Sequence, residues 1–116
     1  MFQIEQSALF LRQWQEFTHN YNKRAGKSVA VKFVLAVEEA QTFIANNPYA
    51  CMVYDAGGEF PNYKFRKWSL HKFPHVILFR VKDADTIIID AIYAHKMDIG
   101  RRFEAEIERL KENKND

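Results

Sequence analysis

The stretch Val76-Ile77-Leu78-Phe79 has no polar interruption, and it constrains the fold more than any other part of the chain. A strand with one wet face alternates apolar and polar residues, whereas an unbroken apolar run of this length suits a strand covered on both faces. The spacing therefore predicts the centre of a sheet over His75–Val81. Two further runs flank it: Tyr63–Leu70 before, and Thr86–His95 after, the latter carrying Ile87-Ile88-Ile89. Pro74 and the Lys82-Asp83-Ala84-Asp85 break punctuate them, as expected of successive antiparallel strands joined by short turns.

Upstream, Phe2 and Ile4 alternate with Gln3 and Glu5, which predicts a short strand with one apolar side. Ser7 then offers a hydroxyl to cap a helix. Phe10, Trp14, Phe17 and Tyr21 recur at helical spacing, and the helix is expected to stop within Asn22–Gly26. A second helix, with Ser28 as its expected cap, carries the stripe Val29, Phe33, Val37, Ala40 and Ile44. Asn46-Asn47-Pro48 ends it, because the residue before proline is pushed out of helical geometry. The stretch from Pro48 to Asn62, with Gly57-Gly58 and Pro61, is expected to be a loop packed on the body. Asp98 is placed to cap a last helix with the stripe Phe103, Ile107 and Leu110, and the polar end from Lys111 is expected to fray. The order is β-α-α-β-β-β with a C-terminal helix. This is an α+β domain in which a helical hairpin packs on one face of an antiparallel meander.

The 116 residues, 47% of them hydrophobic, suffice for one core and are too few for two, so a single domain over 1–116 is expected. A net charge of +2 does not by itself demand a nucleic-acid partner, and any electrostatic role must come from local clustering. The lone Cys51 excludes an internal disulfide and fits a reducing compartment. No apolar run approaches the roughly 20 residues that cross a bilayer. Nor does the N-terminus have the basic and apolar regions of a secretory signal, so a cytoplasmic location is expected.

Three sets of residues could carry chemistry. Lys64 and Arg66 are two apart, so in a strand they share a face and could hold phosphate; equally, they could be the charges that protect a solvated edge strand from unwanted pairing. His75 and His95 are candidate acid–base groups, being able to exchange protons near neutral pH. His75 and Arg80 have opposite parity and should point to opposite faces. Arg101 and Arg102 lie where positive charge opposes a helix dipole, a local cost that a binding role would explain. His71, His75 and His95 have no cysteine or carboxylate at ligand spacing, so no metal is expected. Gly57-Gly58 is no phosphate loop, as no Lys-Ser/Thr follows it. No cofactor motif is present.

The element order, with Phe65-Arg66 opening the meander, Lys72-Phe-Pro-His-Val-Ile-Leu-Phe-Arg80 in its middle and Ile89-Asp-Ala-Ile-Tyr-Ala-His-Lys96 closing it, resembles the RelE/ParE toxins of type II toxin–antitoxin systems. The resemblance runs from the first strand to Arg102. It implies a toxin, of plasmid-stabilisation type, that is silenced by a cognate antitoxin. Two activities occur in that superfamily: RelE-like toxins cut messenger RNA on the ribosome, and ParE-like toxins poison DNA gyrase by binding.

On the ribonuclease reading, Lys64, Arg66, His75 and His95 would be catalytic. The residues resemble the ParE branch more closely, because His75 stands where many of the ribonucleases have arginine. Phe103 likewise lies near where some carry a tyrosine, and a phenyl ring has no proton to exchange. On that branch the target-binding candidates are Arg80, Lys96, Arg101 and Arg102. Leu9, Tyr21 and Tyr49 are the candidate lining of an antitoxin groove beside the hairpin and a sheet edge. A third possibility is a binding domain on the same scaffold without toxicity.

Overall fold

The computed structural model describes residues 1–54 and 64–95. The Asp98 helix and its stripe, the Gly57-Gly58 loop, Lys96, Arg101, Arg102 and Phe103 lie outside the described residues. The elements are β1 (Gln3–Gln6), α1 (Ala8–Ala25), α2 (Lys27–Asn46), a 3-10 turn over Pro48–Ala50, β2 (Met52–Tyr54), β3 (Phe65–Ser69), β4 (His75–Val81) and β5 (Thr86–Ala94). They form a five-stranded sheet in the order β1-β5-β4-β3-β2. The apolar run therefore sits on the middle strand, as its composition requires. The meander β3-β4-β5 is antiparallel.

Two features of the sheet go beyond the expected order. β1 pairs with β5 in parallel, because the α1–α2 hairpin returns the chain across one sheet face before the meander begins. The segment after Pro48, expected to be loop, contributes β2, which pairs antiparallel with β3 through Met52↔Lys67 and Tyr54↔Phe65. Three residues are too few for a strand pattern to show in sequence.

α1 starts where Ser7 caps it: the Ser7 Oγ accepts from the Phe10 N–H at 2.9 Å and donates to the Asp90 carbonyl at 2.8 Å. The helix start is thus tied to β5. The second cap differs from expectation. α2 begins at Lys27 with Gly26 at both the end of α1 and the start of α2, and Ser28 lies inside the helix without capping it. Gly26 has φ +95° and ψ 168°, a backbone region open in practice only to glycine, and one residue suffices to reverse the chain.

Phe33, Val37, Ala40 and Ile44 are buried against Phe10, Ile77, Phe79, Ile87, Ile89 and Ile92. Trp14, Phe17 and Tyr21 pack on this layer, while Val29, expected in the stripe, is only partly covered. The other sheet face holds Phe65, Val76, Leu78, Ala91 and Tyr93, with Leu9 and Tyr54 against them. Both faces of β4 are therefore covered.

β5 keeps its apolar residues inward despite an irregular spacing because of a bulge. Leu78 pairs with Ala91 and Phe79 with Ile89, leaving Asp90 without an opposite residue. The extra residue lets Ile87, Ile89 and Ile92 all face the helices. Beyond the end of β1, the Ile92 N–H donates to the Gln13 Oε1 of α1 at 2.9 Å, so an amide of β5 that β1 is too short to reach is satisfied by a side chain.

Candidate functional site

Lys64, Arg66, His75 and His95 do not form one site. Arg66 pairs with Phe79 and Ser69 with Val76, so Lys64 is level with Val81, at the far end of β4 from His75. At about 3.3 Å per residue, the six positions from 75 to 81 separate the two ends by roughly 20 Å. His95 follows Ala94, the partner of His75, and its N–H donates to the Pro74 carbonyl at 2.9 Å. It is exposed, and it belongs to the His75 end of the sheet.

His75 itself is turned away from solvent. It is 2% exposed, with ring centroids of Phe17, Phe33 and Tyr21 at 4.6, 4.9 and 5.9 Å. Its Nδ1 has no hydrogen-bond partner. Burial, with a smaller effect of His95, lowers its pKa to about 4, so the ring is neutral at pH 7. The sequence marks His75 as a candidate acid–base group; the hairpin lying over β4 makes it a core side chain. Truncating His75 therefore opens the aromatic layer and is not neutral to stability.

Arg66 is also engaged locally. Its Nη1 donates to the Cys51 carbonyl at 2.9 Å, and its guanidinium carbon lies 5.2 Å from the Tyr49 ring centroid. It faces the helix side of β3, opposite Phe79. The alternative of an edge strand is corrected too, because β2 covers β3. The Cys51 thiol is pushed up in pKa by burial, with Arg66 opposing, consistent with a small core side chain.

Arg80 points to the other face, as its parity predicts. It makes a bidentate ion pair with Asp90, with contacts of 2.8 to 3.2 Å, and lies 5.5 Å from the Phe65 ring centroid. Burial pushes the Asp90 carboxyl up in pKa and Arg80 opposes this. The pair fixes the bulge, since the residue without a cross-strand partner holds the arginine one strand away.

Leu9, Tyr21 and Tyr49 are not brought into one groove. Leu9 packs on the Val76–Leu78 face. Tyr21 stacks among Phe33, Phe73 and His75. Tyr49 stands on the 3-10 turn, 66% exposed, with Phe2 at 6.3 Å. Among the described residues, two other places bring exposed large apolar side chains together. One is the β2 edge, where Met52 and Val53 are 66% and 55% exposed beside Tyr49. The other is a groove of about 710 Å³ between α1 and α2, with Leu11, Trp14, Val31, Val34 and Leu35 in its lining. Val31 and Leu35 sit off the inward stripe of α2, so periodicity could have found them. Nothing local marks β2. Among the described residues no three His, Cys, Asp or Glu side chains converge as metal ligands, and no helix is long and apolar enough to cross a membrane.

A two-helix hairpin laid on a five-stranded mixed sheet is the fold of a known class of small toxins. A solved structure described as a chromosomal ParDE toxin–antitoxin system from P. aeruginosa superposes with a TM-score of 0.66 at 20% identity, covering 81% of this chain and 96% of that one. The family model for the ParE toxin of the type II toxin–antitoxin system parDE matches residues 4–99, and the chain belongs to that family. No curated protein sequence matches it as a close relative.

Proposed function

We propose that this toxin acts as a single domain by binding DNA gyrase in the cytoplasm and inhibiting it, without cutting RNA. The dispersal of the polar candidates carries this reading. RNA cleavage needs an acid, a base and phosphate-binding cations around one phosphodiester. Here Lys64 and His95 stand at opposite ends of the sheet, His75 is buried under the hairpin, and the Arg66 guanidinium is committed to the Cys51 carbonyl. A binding toxin needs no such convergence. Because Arg80 is held by Asp90, the contact with the target falls to Lys96, Arg101 and Arg102.

The cognate antitoxin silences the toxin along β2. Among the described residues that strand ends the sheet, with Met52, Val53 and the neighbouring Tyr49 exposed and no charge among these three, where sheet edges elsewhere are protected by lysine or proline. An extended segment added there would gain main-chain hydrogen bonds and cover the apolar side chains. Such a pair would stabilise the replicon that encodes it.

Regulated expression in bacteria tests the target. Growth arrest with DNA breakage and intact messenger, relieved by Arg101→Ala with Arg102→Ala and unaffected by Lys64→Ala or His95→Ala, is the expected result. Cleaved ribosome-bound messenger would place the chain on the ribonuclease branch, and absence of arrest would leave a non-toxic binding domain. His75→Ala cannot serve as the discriminating variant, because it opens the core. For neutralisation, Val53→Lys is expected to keep arrest but abolish rescue by the co-expressed antitoxin, at a stability cost of up to about 1 kcal/mol because Arg66 lies directly opposite.

A further inference from the structure

The outer side of α2 is complementary to itself. Phe33, Val37, Ala40 and Ile44 face the sheet, which leaves Lys27, Val31, Leu35 and Glu39, each four residues on, as one ridge on the opposite side. Val31 and Leu35 are 48% and 51% exposed, an unusual position for two large apolar side chains in the middle of a 20-residue helix. Lys27 is exposed at one end of the ridge, and Glu38 and Glu39 at the other. The described ion pairs are Arg80–Asp90 and Lys82–Glu5, so Lys27, Glu38 and Glu39 have no ionic partner among the described residues. The same polarity marks the groove between the helices. His19 and Lys27 lie toward the hairpin turn, where Lys23 and Arg24 also sit, and Glu38 lies toward the other end.

We propose that this ridge is the contact between two copies of the chain, packed α2 against α2 in antiparallel fashion about a two-fold axis level with Phe33. Val31 and Leu35 are equidistant from that position. The two-fold axis therefore sets Val31 against Leu35 of the second copy, and Leu35 against its Val31. It sets Lys27 against the acidic pair Glu38 and Glu39 at each end. An isologous contact needs one patch that complements itself under a two-fold rotation, and this ridge does so in both shape class and charge. The parallel alternative would bring Lys27 onto Lys27 and Glu39 onto Glu39, so charge selects the antiparallel arrangement. The ridge of one copy then lies along the groove of the other, covering Leu11 and Trp14 as well. Two half-exposed apolar side chains per copy, with charge contacts only at the ends, make a weak dimer, with a dissociation constant of ~1–100 µM. The contact is separate from the β2 edge and holds whatever the cellular target is.

Sedimentation equilibrium of the purified full chain, at about 0.05 M and about 0.5 M salt, tests it. The expected result is a monomer–dimer equilibrium that weakens with salt. Lys27→Glu should raise the dissociation constant about tenfold, since symmetry counts each lost charge contact twice. Combining it with Glu38→Lys and Glu39→Lys should restore binding, because the reversed ridge is again self-complementary. Leu35→Gln, at a half-exposed site that leaves the fold intact by circular dichroism, should abolish the dimer. A chain that stays monomeric throughout overturns the proposal, as does a dimer indifferent to Lys27→Glu. So does a monomer in which a label on Leu35→Cys is shielded only when antitoxin binds, which would make the antitoxin the occupant.

Discussion

Phe17, Tyr21 and Phe33 close around His75 and leave its Nδ1 without a partner, so the ring is held neutral at the expense of a hydrogen bond. Its pKa of about 4 lies below the ordinary 6.5, which means that the unfolded chain takes up this proton first as pH falls. Stability linked to His75 is complete above pH 6.5 and is lost progressively down to about pH 4, by roughly 3 kcal/mol in all. His75→Leu, which removes the titrating ring and a buried polar atom without leaving a large void, is expected to flatten the fall in unfolding free energy between those pH values. It should match or exceed the parent in stability near pH 5. Asp90, whose carboxyl is raised by burial, titrates in the opposite sense in both proteins, so the difference between them isolates His75. Urea unfolding at a series of pH values reads this directly; parallel curves for the two proteins would show that the ring is solvated.

At the scale of elements, the hairpin and the bulge each depend on one residue. Gly26 alone separates two helices of 18 and 20 residues. A methyl group placed on it would meet no atom within 4 Å, so the cost of Gly26→Ala is that of the backbone conformation and not of a clash. That cost is about 1–3 kcal/mol, and denaturant midpoints should fall accordingly with the slope unchanged. Asn, which relieves strain in left-handed turns, should not rescue this site, because ψ of 168° lies outside the left-handed helical region. The bulge at Asp90 works by count: without the extra residue, Ile92 would turn to the other face. Arg80 and Ser7 both reach Asp90, so the same position links β4, β5 and the start of α1.

Across the whole molecule, β4 is the middle of the five described strands, with β3 and β5 beside it and both faces covered. Phe79 sits on it, fully buried between the hairpin and the sheet. Phe79→Ala should therefore report on global stability, with a loss of about 3–5 kcal/mol, seen as one cooperative transition by fluorescence and circular dichroism alike. If the two probes separated, the hairpin and the sheet would be unfolding as distinct units.

The local patterns settled much of this. An unbroken apolar run placed β4 at the centre, helical spacing gave both inward stripes, and Ser7 marked the start of α1, because each of these depends on periods of two or 3.6 residues that the chain carries in itself. The same rules showed that His75 and Arg80 face opposite ways. They could not show which face lies under the hairpin, and that alone turned His75 from a candidate acid–base group into part of the core. Nor could they show that Lys64 and His95 stand at opposite ends of the sheet, which depends on cross-strand register. The strand β2 was invisible for a related reason: three residues carry no period, and their pairing with β3 is a tertiary event. Parity is a property of the chain, but register, the covered face and the open edge are decided only when the elements meet.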